Sequence, residues 1–352
     1  MKKIKILFYA GAIDFAGTWR SHERILLNLN TSKFEVYVFY NPQSDNNRLD
    51  FLRTKIKSNY IIPFETSNTK LGESEGYRYT YSNFSDLAKQ YNFDIIHYAR
   101  SGHYEWPFVE RICPLQIETN IFGSRDNSPY IDYSVAICHT IAKIHGNSNK
   151  VIYNPIPPPV DTAGDLKTKL NIDNDTLIFG RIGRNDVHDS IALEALHEYK
   201  KIHNKFKYII IGAGSITRAT VTKLNLQDNI IYIETTNDDN LIHQFHNTID
   251  VFLHYRSDGE CHSTAISQAM MYGIPIISHY AGYNGQIETI GNGGIVTQNA
   301  SEYCNAILQL SNKATRKIFS ENAIKQAHNY VQEKIVAEWE EVYTHLTTTN
   351  NI

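Results

Sequence analysis

Short apolar runs that end in turns alternate along the chain with segments of helical spacing, the pattern of parallel strands joined by crossover helices. In the first half the runs Ile4 to Tyr9, Phe34 to Phe39, Asp94 to Tyr98, Leu115 to Glu118 and Tyr133 to Ile137 predict strands, with helices over Ser21 to Leu29 and Ser85 to Tyr91. Between Val151 and Val160 the periodicity stops. Four of the five positions from Pro155 to Pro159 are proline, which neither a helix interior nor a central strand accommodates, so an interdomain linker is predicted there. The pattern restarts with strands over Thr176 to Arg181, Tyr208 to Ile211, Ile230 to Ile233, Val251 to His254 and Ile274 to Ser278. Helices are expected over about Ser190 to Ile202 and over Thr264 to Tyr272, the second closed by Gly273 and Pro275. The tail from Ala314 to Leu346 spaces its apolar residues three and four apart, an amphipathic helix in two pieces.

A length of 352 residues exceeds one ordinary core and favours two domains, hence a cleft. Hydrophobic residues at 42% and charged residues at 20% set aside disordered, collagen-like and coiled-coil chains. The formal charge of −3, from 34 Lys plus Arg against 37 Asp plus Glu, gives no field that gathers nucleic acid, so none is expected as a partner. A peripheral membrane contact stays open. Cys113, Cys138, Cys261 and Cys304 lie far apart without a C-x-x-C pair, which argues against a disulfide framework or zinc cage and fits a reducing cytoplasm. The opening from Met1 to Ala10 is too short for a signal core and reads as a first buried strand, and no stretch approaches the ~18 apolar residues of a membrane span.

Two segments carry chemistry. Arg256 to Ile277 comprises a strand end, an acidic loop, a helix entry and the next strand, so its loop lies at the carboxyl edge of a parallel sheet, where ligands bind. Ser263 is placed to cap the helix, whose first N–H groups and dipole favour a phosphate. Phe179 to Asp189 carries Arg181 and Arg184 ahead of a helix capped by Asp189 or Ser190, so guanidinium donors and helix N–H groups can converge on a diphosphate. His97, near Arg100 and His103, ends its strand, where it serves either an acceptor hydroxyl or the core. His243 and His246 lack a third metal ligand, and Asp173-Asn174-Asp175 reads as a turn rather than a metal-binding D-x-D. Gly212-Ala213-Gly214 after a strand, with Glu234 ending the next, approaches a dinucleotide fingerprint and keeps an NAD-dependent oxidoreductase as an alternative, although Thr217 stands in place of the third glycine.

Glu260, Ala269-Met270, Gly273 and Pro275 stand in the register of the glycosyltransferase family 4 signature, which the segment resembles; the second glutamate of that pattern falls on Gln268. Ala10 to Leu29 is similar to the family's glycine loop and first helix, and Asp94 to His97, Val151 to Asn154 and Ile209 to Gly214 to later strand signatures. The resemblance covers nearly the whole chain and implies an α/β GT-B fold, two Rossmann-like parallel-sheet domains facing a cleft. It divides the chain into residues 1–154 on the acceptor side, a linker at 155–160, a nucleotide-sugar domain at 161–328, and a helix and tail at 329–352 crossing back to the first domain.

The function the resemblance implies is retaining, metal-independent hexosyl transfer from a UDP- or GDP-sugar to a glycan, lipid-linked or small-molecule hydroxyl, with no cofactor. It assigns Glu260, Arg181 and Arg184 to catalysis. Gly17, Gly214, Glu234, Thr235, Cys261, His262, Ser263, Thr264, Gln268 and His188 go to the donor, and His97 and Asn120 to the acceptor side. The family's lysine falls on Asp186 by plain counting, or on His188 with a three-residue insertion, and a histidine of some relatives falls on Asn120. These departures keep a second alternative, a sugar-nucleotide- or glycan-binding relative without turnover.

Overall fold

The side chains of Ile4–Tyr9 (β1) alternate between two cores: Ile6 and Phe8 belong to one apolar cluster, Leu7 and Tyr9 to another. A strand buried on both faces needs helices on both, which a parallel sheet with crossover connections supplies. The computed structural model describes residues 2–9, 13, 17–41, 44–64, 83–100, 110–124, 128–184, 190–236, 238–350 and 352, with only the backbone at 58 and 100. It divides into two units, Met1–Pro155 with Gln332–Ile352, and Ile156–Val331.

The first unit runs β1, α1 (Gly17–Asn28), β2 (Phe34–Tyr40), α2 (Asn46–Lys55), β3 (Ile61–Pro63), α3 (Phe84–Tyr91), β4 (Ile95–Arg100), β5 (Leu115–Asn120), β6 (Tyr133–Ala136), α4 (His139–His145) and β7 (Lys150–Val151). Among the described residues its seven strands are all parallel, in the order β3-β2-β1-β4-β5-β6-β7. The carboxyl ends of β1 and β4 lead into residues 10–12, 14–16 and 101–109, which lie outside the described residues, as does His103.

The second unit runs β8 (Leu177–Ile182), α5 (Ile191–Lys200), β9 (Phe206–Ile211), α6 (Ser215–Lys223), β10 (Ile230–Ile233), α7 (Asp239–Thr248), β11 (Val251–Leu253), α8 (Thr264–Met271), β12 (Ile276–His279), α9 (Gly285–Ile290), β13 (Gly294–Thr297), α10 (Ala300–Ser311) and α11 (Lys313–Ala327). Six parallel strands lie in the order β10-β9-β8-β11-β12-β13. Tyr208 and Ile210 face α5 and α10, while Ile209 and Ile211 face the core that holds α8 and α11. Strand β12 begins two residues after the expected Ile274, because Pro275 has no N–H to donate; its carbonyl instead accepts from Phe252 at 3.0 Å.

The amphipathic tail breaks after α11 at a single turn over residues 328–330, and α12 (Gln332–Thr349) then joins the first unit. Ile335, Trp339, Val342 and Tyr343, on one helical face, pack with Ile6, Phe8, Trp19 and Ile25. No helix among the described residues is long and apolar enough to cross a membrane. The expected fold class is what the structure shows, two parallel-sheet α/β domains of the GT-B type.

Candidate functional site

In the second sheet the chain leaves β8 toward β9 on one side and leaves β11 toward β12 on the other, so a crevice opens where the connections diverge, at the carboxyl ends of β8 and β11. Val251 pairs with Phe179 and Phe252 with Gly180, which aligns those two ends. Arg181 is the penultimate residue of β8, Arg184 follows that strand and the loop from His254 to Ser263 follows β11, so the pairing joins the two segments singled out in the sequence.

Arg181 is buried, with its guanidinium carbon 4.4 Å from the centre of the Tyr255 ring. A Cβ at Gly183 would lie 3.1 Å from Nη2 of that guanidinium, so glycine leaves it room. Gly212, at φ +81°, has its missing Cβ 2.1 Å from the Gly183 carbonyl oxygen, which presses the ends of β8 and β9 together. Arg184 is exposed and contributes to the electrostatics of Asp258.

Glu260 lies amid a network that sequence reasoning left without roles. Arg256 donates Nη1 to Glu260 Oε2 at 3.3 Å and, through Nε and Nη2, grips Asp258, the Nη2 bond being 2.8 Å. His254 Nε2 lies 3.6 Å from Glu260 Oε1, and its Nδ1 meets Ser278 Oγ at 2.8 Å. Burial pushes the Glu260 carboxyl up, yet His254 and Arg256 outweigh it and hold the group below its ordinary range. Burial holds the His254 imidazole below its ordinary value against the pull of Glu260. Asp258 is lowered chiefly by its bond to Arg256, with Arg184 adding to the effect. The sequence signal for this network was the alternation Arg256, Asp258, Glu260, three charges two residues apart.

The main chain of the loop is fixed independently. Glu260 donates its N–H to Gln286 Oε1 at 3.0 Å and accepts from the Gly285 N–H at 2.8 Å, and Tyr283 donates to the Asp258 carbonyl at 3.2 Å. Gly259 at φ +70°, Gly282 at φ +54° and Gly285 let the two loops meet: a Cβ at any of them would sit 1.6 to 1.8 Å from a backbone carbonyl oxygen of the facing loop.

Ser263 caps α8 as expected, accepting from the Ile266 N–H at 3.4 Å. Cys261 and His262 before it are buried, and burial lowers the His262 imidazole to about 4. Its Nε2 meets Ser267 Oγ at 3.4 Å and its ring packs edge-on against Tyr330. Thr264 and Gln268, one turn apart on α8, are half-buried.

Other assigned residues fall elsewhere. Gly214 is the N-cap of α6, and Thr235 is exposed after β10. Glu234 is exposed and accepts from Arg218 Nη2 at 2.6 Å, which gives the expected ribose acid a local ion pair. Gly17 opens α1 and is exposed; His188 and Asp186 lie outside the described residues.

The acceptor-side readings of His97 and Asn120 need correction. Strand β4 continues to Arg100, so His97 sits mid-strand, fully buried, with Nδ1 on Tyr343 OH at 2.6 Å and Nε2 on Thr119 Oγ1 at 2.8 Å. Trp339 and His22 cover its ring, so among the described residues it presents no open face to an acceptor. Asn120 is likewise buried and ties the following turn, accepting from Gly123 N–H at 2.7 Å and donating to Ser124 O at 2.9 Å. His243 Nδ1 meets Tyr272 OH and His246 Nδ1 the Ile242 carbonyl, while Asp175 pairs with Lys205. Among the described residues no three His, Cys, Asp or Glu side chains are grouped to hold a metal ion.

Residues 164–326, which contain the whole of this crevice, match the family described as glycosyl transferases group 1. The fold is shared with a glycosyltransferase from Rickettsia africae, at a TM-score of 0.73 and 16% identity over 98% of this chain and 99% of that one. HepE from Anabaena, solved in complex with UDP and glucose, is similar at a TM-score of 0.72 and 15% identity over 97% of this chain and 100% of its own. Sucrose-phosphate synthase from Thermosynechococcus elongatus follows at 0.70 and 16%, over 99% and 100%. No curated protein matches the chain.

Proposed function

We propose that this chain transfers a hexose from a nucleoside diphosphate sugar to a hydroxyl acceptor, with retention at the anomeric carbon and without a metal ion. The observation that carries the reading is the convergence of Arg181, Arg184 and the Glu260 loop at the reversal point of the second sheet, beside the N-terminus of α8. The match of this region to glycosyl transferases group 1 supports it, and the register of Glu260, Ala269, Met270, Gly273 and Pro275 supports family 4 within that group.

In this reading the bond between the anomeric carbon and the donor phosphate oxygen breaks, and the acceptor oxygen bonds to the same face of that carbon. The acceptor proton passes to the leaving diphosphate. Arg181, Arg184 and the first N–H groups of α8 stabilise the charge that develops there, which preorganised donors do without reorganisation at the moment of reaction. Glu260 accepts from hydroxyls of the transferred sugar, and Gln268 meets the ribose.

A thermal-shift series with UDP, GDP and their hexose conjugates, with and without chelator, tests it. A ligand at 100 times its Kd adds about 2.7 kcal/mol of stability. Stabilisation by one nucleotide family that survives chelation, followed by transfer to a hydroxyl acceptor, is the expected result; no shift with any nucleotide would remove the reading. Gln268 favours a second reading, binding without turnover, which predicts the shift but no release of nucleoside diphosphate.

A further inference from the structure

The carboxylate of Glu260 is approached from two sides by groups on its own loop and strand end. Arg256 Nη1 stands 3.3 Å from Oε2, and His254 Nε2 stands 3.6 Å from Oε1. The glutamate is about a quarter exposed, so this pair meets each carboxylate oxygen once while part of the group remains open. We propose that Arg256 and His254, with Ser278 behind His254, form a clamp that aims the Glu260 carboxylate at the hydroxyls of the transferred sugar, and so act as positioning residues for sugar recognition. The inference rests on the function proposed above.

Three features support a directing role. The loop backbone is secured by Gln286, by the Gly285 N–H, by the Gly259 N–H on the Arg256 carbonyl and by the close approach at Gly259 and Gly282, none of which uses the side chain of Arg256 or His254. What the side chains of Arg256 and His254 add at Glu260 is therefore the direction of its carboxylate. Second, the clamp is ordered from behind. His254 is buried, and Ser278 Oγ, itself buried, meets its Nδ1 at 2.8 Å. If that hydroxyl donates, the neutral ring keeps its proton on Nε2, turned toward Glu260; this is the way a second hydrogen bond sets an imidazole tautomer. Third, Arg256 is anchored before it reaches Glu260, because its Nε and Nη2 hold Asp258. A planar fork fixed on one carboxylate presents its remaining nitrogen to the second in a defined direction, which a lysine cannot do.

The clamp leaves Glu260 ionised and acceptor-only. A carboxylate has about four lone-pair sites, and one contact on each oxygen leaves a site on each for a pair of neighbouring hydroxyls. The chemistry so recognised is a vicinal diol of a neutral hexose on a nucleoside diphosphate.

The experiment measures Kd by calorimetry for UDP and UDP-glucose, and for GDP and GDP-mannose, with the full-length protein and with Arg256→Lys, His254→Gln, His254→Leu, Ser278→Ala and Glu260→Gln. Thermal melts accompany each. The readout is the ratio of the affinity for the sugar nucleotide to that for the bare diphosphate, which a general loosening of the loop leaves unmoved. Arg256→Lys, His254→Leu and Ser278→Ala are all expected to keep diphosphate affinity within about twofold. Arg256→Lys should lower the ratio about five- to tenfold, the range for weakening one charge-assisted hydrogen bond, and His254→Leu and Ser278→Ala, which act through a 3.6 Å contact rather than a hydrogen bond, about two- to fivefold. His254→Gln, which retains an N–H donor, should recover part of the loss. If Glu260→Gln collapses the ratio but the clamp variants keep it, the clamp is wrong and the proposed function stands. If the clamp variants lose both ligands equally, the cluster only supports the loop and the clamp is again wrong. If Glu260→Gln leaves the ratio unchanged, or neither nucleotide pair binds, the proposed function fails and the clamp with it.

Discussion

Arg181 and Gln268 make opposite demands on the site. Arg181 is a buried guanidinium laid over Tyr255. Replacing it by alanine should lower kcat about 10²- to 10³-fold, or ~2.7–4 kcal/mol of transition-state stabilisation, as loss of a preorganised donor does. Arg181→Lys keeps the charge but not the planar stacking, and should recover only part. Steady-state turnover of both variants, with melts to exclude unfolding, checks this; normal turnover by Arg181→Ala would detach the residue from the diphosphate. Gln268 offers one accepting oxygen and an NH₂ where a carboxylate would accept from two ribose hydroxyls. Gln268→Glu is expected to tighten nucleoside diphosphate binding about tenfold, the gap between neutral and charge-assisted hydrogen bonds, while Gln268→Ala weakens it. Unchanged affinity in both would move the ribose elsewhere. The placement of Arg181 at the end of a strand and of Glu260 in the loop after one was legible in the sequence, because each lies within a local motif. The partners that make His97 structural were not, since Thr119 and Tyr343 stand 22 and 246 positions away.

At the scale of elements, the site depends on two loops locked backbone to backbone. Gly282 is the sharpest test, with φ +54° and its missing Cβ 1.6 Å from the Asp258 carbonyl oxygen. Gly146 supplies a control, having φ +76° but nothing within 4 Å of its missing Cβ. Gly146→Ala should cost only the left-handed conformation, about 1 to 2 kcal/mol. Gly282→Ala should cost that and also force the loops apart, releasing Glu260 and abolishing sugar-nucleotide binding. Denaturant unfolding and nucleotide titration compare the two; equal stability losses with binding intact would mean that the loops separate freely. Strand β10 and the start of β1 were read from sequence at their observed bounds, since short apolar runs between turns admit little else. Helices α2 and α6 escaped, because NNRLDFLRTK and SITRATVTK are polar or β-branched and carry little apolar periodicity. They are helical because Leu49 and Leu52, and Thr217 and Val221, find cores to pack against. The crevice itself was only half legible: the loop was placed at a carboxyl edge, but the strand order that makes β8 neighbour β11 is tertiary information.

Across the whole molecule, buried histidines link stability to pH. His22 in the first unit and His246 and His262 in the second are each lowered to about 4, mainly by burial, and His97 and His254 are also lowered. Unfolded, such groups titrate near 6.5. Between about pH 6.5 and 4 the unfolded chain therefore binds protons that the folded chain refuses, so stability rises with pH through this window and is lost as the pH falls through it. Below the window His22, His246 and His262 add no further slope. Asp258 and Glu260, lowered in the folded state, act in the same direction but only as the pH falls below their unfolded values near 4. The interval from 6.5 to 4.5 thus belongs chiefly to the histidines. His22 isolates one of them: its Nδ1 meets the Thr18 carbonyl at 3.1 Å, while its buried Nε2 makes no hydrogen bond, so an apolar replacement removes little besides the titration. His22→Leu should reduce proton uptake on unfolding at pH 5 by about one, with little change in uptake at pH 8. Calorimetric unfolding of wild type and variant across pH 5 to 8 measures it, and an unaltered slope at pH 5 would place the acid sensitivity in residues other than His22.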